Sequence, residues 1–321
     1  MQQSKMRIFS GSSNKALTTT ICKQLGVEPG KIEISRFKSG EIYVHYEESI
    51  RNCDVFLVQS LSHPINELFV ELLVMIDAAK RASAHTITIV LPYYGYARQE
   101  RKSAPREPIS AKMVADVLTT AGASRVVTLD LHAPAIQGFF NIPVDHLTAL
   151  DLMTEYLLSK NIQNPVIVSP DAGRASMAEK LASGMDSPFA IMIKKRPAHN
   201  QSIITHVIGD VEGRTPIIIE DLIDTGSTIL HVVEGLKERG AGDAIVCATH
   251  GLFSDKGLER LDHPNISEVV ITDSIEIAPY EPYEFASSRL HVLSVAPLFS
   301  RAIRYIMEGG SIATMFRNRG V

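Results

Sequence analysis

Two adjacent carboxylates, Glu220 and Asp221, and the polar run Asp224-Thr225-Gly226-Ser227-Thr228 make the most chemically loaded stretch of this 321-residue chain. Ile217 to Ile219 precede them and read as buried strand, so the two acids fall at its carboxyl end, where open α/β sheets bind ligands. The polar run leads into a segment whose Ile229, Val232, Val233 and Leu236 recur on one helical face. Backbone N–H groups and hydroxyls at such a helix entrance can surround a phosphate, and Gly226 permits close approach. Neighbouring carboxylates are too acidic to grip phosphate but accept hydrogen bonds from the adjacent hydroxyls of a sugar. The stretch therefore suits a phosphorylated sugar. The same residues also make an ordinary strand, loop and helix with Asp and Thr as turn and cap residues, and residue types alone leave that alternative open.

Other candidates lie further off. Lys194, Lys195 and Arg196 follow the apolar run Phe189 to Ile193, and Pro197 is expected to end regular pairing, which predicts a basic loop. Arg98 and Gln99 open residues 98–109, a charged stretch with two prolines that reads as a loop. His132 and Asp171 fall just beyond the runs Val126 to Leu129 and Val166 to Val168. Taken singly, each has a plain alternative: a solvated basic turn for Lys194 to Arg196, or a strand-end histidine bonded to backbone for His132.

The elements that must position these residues alternate along the chain. Runs at Val55 to Val58, Ile87 to Leu91, Val126 to Leu129, Val166 to Val168, Phe189 to Ile193, Ile217 to Ile219 and Ile245 to Ala248 predict mainly parallel strands separated by helices. Ser110 is expected to start a helix buried through Met113, Val114, Val117 and Leu118, with Gly122 as its stop. The second helix, after Thr228, carries Lys237 and Arg239 near its end and Gly240 beyond. The length implies two α/β domains, with the stretch Asn141 to Thr148 as a connector.

The net charge of −4 argues against broad nucleic-acid binding, which needs a basic face. Three widely spaced cysteines, Cys22, Cys53 and Cys247, lack metal spacing and read as buried thiols in a reducing compartment, hence a cytoplasmic location. The amino terminus lacks the apolar core of a secretion signal, and no apolar run approaches the roughly 20 residues of a membrane span.

The segment from Ile219 to Thr228 resembles the phosphoribosyl diphosphate-binding motif shared by phosphoribosyltransferases and ribose-phosphate diphosphokinases. Further strings resemble the diphosphokinases alone: FSGSS from Phe9, ESIRNCDVFLVQS from Glu48, YYGYARQER from Tyr93, PISAK from Pro108 and DLHAPAIQGFFNIPVD from Asp130. SPDAG from Ser169, KKRP from Lys194 and GDVEG from Gly209 extend the resemblance over nearly the whole chain. It implies two phosphoribosyltransferase-like α/β domains, each a mainly parallel sheet flanked by helices. The expected boundaries are residues 1–145 for the ATP side, completed by a carboxy-terminal helix at 305–321, and 146–304 for ribose 5-phosphate.

That family moves the diphosphoryl group of ATP to the 1-hydroxyl of ribose 5-phosphate, releasing AMP, and uses Mg²⁺. The resemblance carries its roles onto matching positions here. Lys194 and Arg196 match a catalytic flap, the lysine stabilising the transition state and the arginine lying near ribose phosphate. Arg98 and Gln99 match an ATP-contacting pair, Phe37 the aromatic that covers adenine, and Ser39, Gly40 and Glu41 a nucleotide-contacting loop. By residue type alone, a core position is the commoner fate of such a Phe. Glu220, Asp221, Asp224, Thr225, Gly226, Ser227 and Thr228 match the ribose 5-phosphate site, and His132 with Asp171 the magnesium ligands. The family also forms homohexamers.

Several positions depart from the family pattern. Glu220 stands for the first aspartate of the usual pair, Ser227 for the more frequent glycine, and Ser39 where aspartate is common. Ala135 holds a place usual for glutamine, Ile193 one often polar, and Arg174 follows SPDAG sooner than expected, so the loop after Asp171 reads as shortened. Two other readings stay open at this point: a silent regulatory homologue, and a base-transferring phosphoribosyltransferase.

Overall fold

A computed structural model describes residues 5–198, 201–277, 288–312 and 314, with side chains left aside for 194–205. The chain divides into two compact units. One takes the chain as far as Leu147, Ser274–Glu276 and the chain from Ser294; the other takes Thr148–Asp273 and Ile277–Leu293.

In the first unit, β1 (Lys5–Ser10), β4 (Cys53–Val58), β5 (Thr86–Leu91), β6 (Arg125–Leu129) and β7 (Val144–Leu147) form one parallel sheet in that spatial order. The inner strands are apolar on both faces, as a parallel sheet covered on both sides requires. Helix α2 (Ile65–Arg81) lays Leu68, Leu72, Met75, Ile76 and Ala79 into this core, each such large side chain contributing roughly 1.5–3 kcal/mol. Helix α3 (Ser110–Ala121) adds Ala111, Val114, Ala115 and Leu118. Strands β2 (Ile32–Arg36) and β3 (Ile42–Tyr46) make a separate hairpin whose alternate residues Ile32, Ile34, Val44 and Tyr46 pack on the core. Helices α1 (Lys15–Leu25) and α8 (Ala296–Glu308) meet where Ser300 donates to Gln24 Oε1 at 2.7 Å.

The turn from β1 into α1 is closed by the protein's own side chains. Glu71, on the buried face of α2, accepts from the Ser12 amide and the Ser12 hydroxyl, each at 2.7 Å, and from Gln59 Nε2 at 2.8 Å. Gln59 Oε1 accepts from the Ser13 amide, and Asn14 caps α1 by accepting from the Leu17 amide.

The second unit is built on a sheet ordered β10 (Gln201–Ile208), β9 (Phe189–Ala198), β8 (Pro165–Ser169), β11 (Thr215–Ile223), β12 (Ala244–Gly251), β13 (Ile266–Thr272) and β14 (Leu290–Leu293). Only the β9–β10 pair is antiparallel. Helices α4 (Leu150–Ser159), α5 (Ala175–Gly184), α6 (Ser227–Lys237) and α7 (Gly257–Leu261) complete the unit. All seven expected runs are strands, and Ile229, Val232, Val233 and Leu236 are the buried face of α6.

Other expectations are corrected. Residues 194–198 are not a loop: β9 runs on to Ala198, with Lys194 and Lys195 opposite Ile204 and Ile203. Pro197 falls in a shift of register, where a missing N–H removes no ladder bond. Helix α3 does start at Ser110, whose hydroxyl donates to Gln99 Oε1 at 2.6 Å, and no side chain caps it. Met113 is half exposed; the small residues Ala111 and Ala115 let α3 settle on a different face. The stretch Asn141 to Thr148 contains the boundary between the two units, after Leu147, but also forms β7 at the sheet edge. The carboxy-terminal helix spans Ala296–Glu308 rather than starting at 305, ending where Gly309 takes φ +68°. Of the expected helix, 313 and 315–321 lie outside the described residues.

All three cysteines are buried free thiols. Burial, aided by the Glu28 charge, pushes the Cys22 thiol up to about 11, and burial with the charge of Glu268 also raises Cys247. Among the described residues, no helix is long and apolar enough to cross a membrane.

Candidate functional site

Strand β11 carries the apolar run Ile217 to Ile219 through the middle of its sheet and brings Glu220 and Asp221 near its carboxyl end. From β8 the chain continues to β9 on one side, whereas from β11 it continues to β12 on the other. The strand order thus reverses between β8 and β11, the place where open α/β sheets open a crevice for ligands. At these strand ends lie sequence candidates: Asp171 just beyond β8, Glu220 and Asp221 within the last residues of β11, and Asp224 to Thr228 beyond it.

After Ile223 the chain turns through Asp224, Thr225 and Gly226 and enters α6 at Ser227. Gly226 has φ +76°, and a Cβ there would lie 3.0 Å from the Gly257 carbonyl oxygen. The two turns are close at a second point, for a Cβ on Gly257 would meet the Asp224 carbonyl oxygen at 2.3 Å. Arg260 of α7 donates from Nη1 to the Thr225 carbonyl at 2.8 Å and pairs with Asp255. The Leu252 amide donates to the Ile223 carbonyl at 2.8 Å. A second turn therefore braces the loop from behind.

No side chain caps α6. The first amides of any helix lack intrahelical partners, and they sit at the positive end of its dipole, so this entrance favours an anion. The Thr225 hydroxyl donates toward Ser227 Oγ at 3.4 Å, placing two hydroxyls at the same entrance.

The acidic pair is countered from β8. Asp171 accepts from the Gly173 amide at 2.9 Å and so caps a single 3-10 turn, Ala172–Arg174, that leads straight into α5. Arg174 then places Nε 3.3 Å from Glu220 Oε2 and Nη2 2.8 Å from Asp221 Oδ1.

In the first unit, the hairpin tip holds Phe37, 57 % exposed, edge-on to Tyr43 with ring centroids 5.6 Å apart. An exposed aromatic pair is a surface for a flat apolar partner. The turn is held by the Gly40 amide donating to Phe37 O and by the Ser39 hydroxyl donating to Glu41 Oε2 at 2.7 Å. Arg98 and Gln99 are exposed at the start of the 98–109 loop, Gln99 tied to Ser110 as described. His132 follows Leu131, whose amide donates to His146 Nε2 at 2.9 Å, just beyond β6. Lys194 and Arg196 are placed on β9 by the backbone, and their side chains lie outside what is described.

Reasoning from sequence missed the bracing residues Gly257 and Arg260 and the target of Arg174. Each acts on a partner distant in the chain, so no local spacing announces it.

Comparison with known proteins gives the family. Residues 6–122 match the family described as the N-terminal domain of ribose phosphate pyrophosphokinase, and residues 169–317 match the phosphoribosyl synthetase-associated domain. The chain is 49 % identical over 313 residues to a ribose-phosphate pyrophosphokinase of Bacillus cereus, covering 98 % of each chain. It is 47 % identical over 311 residues to that of Bacillus subtilis, covering 97 % of each. The crystal structure of phosphoribosylpyrophosphate synthetase from Mycobacterium smegmatis superposes with a TM-score of 0.89 at 43 % identity, over 96 % of this chain and all of that one.

Proposed function

Because this chain belongs to the ribose-phosphate pyrophosphokinase family, we propose that it transfers the diphosphoryl group of ATP to the 1-hydroxyl of ribose 5-phosphate. The products are phosphoribosyl diphosphate and AMP. The observation that carries the reading into this structure is the braced loop Asp224 to Thr228 beside the carboxylates Glu220 and Asp221, at the switch point of its sheet.

The carboxylates accept hydrogen bonds from the sugar's adjacent hydroxyls, and the α6 entrance with Thr225, Ser227 and Thr228 receives the 5-phosphate. Asp224 and Gly226 shape that cradle, and Arg196 adds positive charge near it. On the first unit, Phe37 covers the adenine, Ser39, Gly40 and Glu41 line the nucleotide, and Arg98 clamps phosphate. The Gln99 amide oxygen is already engaged by Ser110, so its amide nitrogen is the group it offers the nucleotide.

The 1-hydroxyl oxygen attacks the β-phosphorus; a new oxygen–phosphorus bond forms as the bond to the α-phosphate bridging oxygen breaks and AMP leaves. Such a transfer needs alignment and charge neutralisation rather than a covalent intermediate, which is the role given to Lys194. The Asp171 carboxylate suits Mg²⁺, which takes few protein oxygens and otherwise keeps waters and phosphate oxygens, whereas the His132 imidazole is a less usual donor for it. Among the described residues, no group of three or more His, Cys, Asp or Glu converges to hold a metal alone. Asp171 and His132 are the proposed protein ligands, and bound magnesium would neutralise polyphosphate charge. A homohexamer in the cytoplasm completes the reading.

The deciding experiment is a coupled assay of AMP release in the presence of ATP, ribose 5-phosphate and Mg²⁺. AMP forms in equal amount to phosphoribosyl diphosphate, and Lys194→Ala lowers kcat about 10²–10³-fold. No AMP from protein shown to bind both substrates, or full activity in Lys194→Ala, refutes the reaction or the lysine's role respectively.

A further inference from the structure

Glu220 and Asp221 are 9 % and 2 % exposed, and two adjacent buried carboxylates are costly unless a cation answers them. Arg174 gives that answer with one guanidinium, Nε to Glu220 and Nη2 to Asp221, from a side chain only 16 % exposed. The planar fork of arginine can address two carboxylates at once, which a lysine's point charge cannot do with the same geometry. The short 3-10 turn after Asp171 delivers Arg174 from β8, which is hydrogen-bonded to β11 along its length.

The two contacts engage one oxygen of each carboxylate, and a carboxylate has lone pairs for more than one donor. These two contacts alone do not saturate the pair as acceptors. Arg174 also sets a positive charge against the two negative groups that would face an incoming phosphate dianion. We propose that Arg174 is a positioning residue of the sugar site, aiming Glu220 and Asp221 and offsetting their charge so that an anionic ribose phosphate can settle between them and the α6 entrance. The inference rests on the reading of that stretch as the ribose 5-phosphate site.

The test is steady-state kinetics on full-length Arg174→Gln, Arg174→Lys and Asp221→Asn, with folding checked by circular dichroism. Arg174→Gln raises KM for ribose 5-phosphate about tenfold, leaves KM for ATP within about twofold, and lowers kcat little. Arg174→Lys keeps the charge, and so the fold should Gln lose it, and falls between parent and Gln in KM for ribose 5-phosphate. A folded Arg174→Gln with the parent KM for ribose 5-phosphate overturns the proposal, as does a Lys variant indistinguishable from parent. An equal rise in both KM values overturns it too, marking a merely structural role. Asp221→Asn separates the two layers. If it leaves KM for ribose 5-phosphate unchanged, the site reading itself falls; if it raises that KM while Arg174→Gln does not, Arg174 alone is refuted.

Discussion

After β1 the chain turns through Gly11, Ser12 and Ser13 into α1; after β11 it turns through Asp224, Thr225 and Gly226 into α6. Both loops are small, polar and contain a glycine, and both open at the carboxyl end of a parallel strand. They differ in what fills them. In the first unit, the buried carboxylate of Glu71 takes the Ser12 amide and hydroxyl, Gln59 takes the Ser13 amide, and Asn14 caps the helix. In the second, Gly226 stands at the cap position and supplies no side chain. The strands differ as well: β1 is an edge strand of a sheet whose order rises steadily, whereas β11 adjoins the reversal of order. Composition does not separate a structural turn from the one proposed to receive phosphate; an internal carboxylate already seated on the amides does.

Three substitutions would break or sharpen that contrast. Glu71→Ala removes the acceptor of the Ser12 amide and hydroxyl, which water can replace at this exposed residue, and of the buried Gln59 Nε2, which keeps Leu68 O, and lowers unfolding stability by roughly 2–3 kcal/mol, measured by urea at fixed protein concentration. Its KM for ribose 5-phosphate stays at the parent value under conditions where it remains folded; a selective rise would show that the first loop, too, serves the sugar. Gly226→Ala forces a side chain into left-handed backbone against the Gly257 carbonyl, a cost of ~2 kcal/mol or about 30-fold in kcat/KM for ribose 5-phosphate. An equal loss for ATP would place the damage outside the sugar site. Ser227→Ala removes one hydroxyl while keeping the backbone amides, and KM for ribose 5-phosphate rises only about threefold. A loss comparable to that of Gly226→Ala would move the weight from backbone to side chain.

The central strands were legible because a parallel sheet buried on both faces demands unbroken apolar runs, as in Ile217 to Ile219 and Ile87 to Leu91. Helix α6 was legible for the same reason, its large residues all marking one stripe. Helix α3 was misread at Met113 because the residues that seat it, Ala111 and Ala115, are too small to stand out. β7 and the β2–β3 hairpin passed unnoticed because each is short and mixes polar with apolar residues. The acidic pair and loop were legible because they are contiguous. Arg174 and Glu71 were visible as letters, but their targets are chosen by the packing of β8 on β11 and of α2 on its sheet.

The close approach of the turns that carry Gly226 and Gly257 has a bearing on engineering. A pattern of ten consecutive residues describes only the front of that loop; its back is a second turn, where a side chain in place of Gly257 would meet the Asp224 carbonyl whatever residue stands at 226. A loop grafted from this chain into a foreign scaffold without its α7 turn would carry the letters of the motif and none of its stiffness.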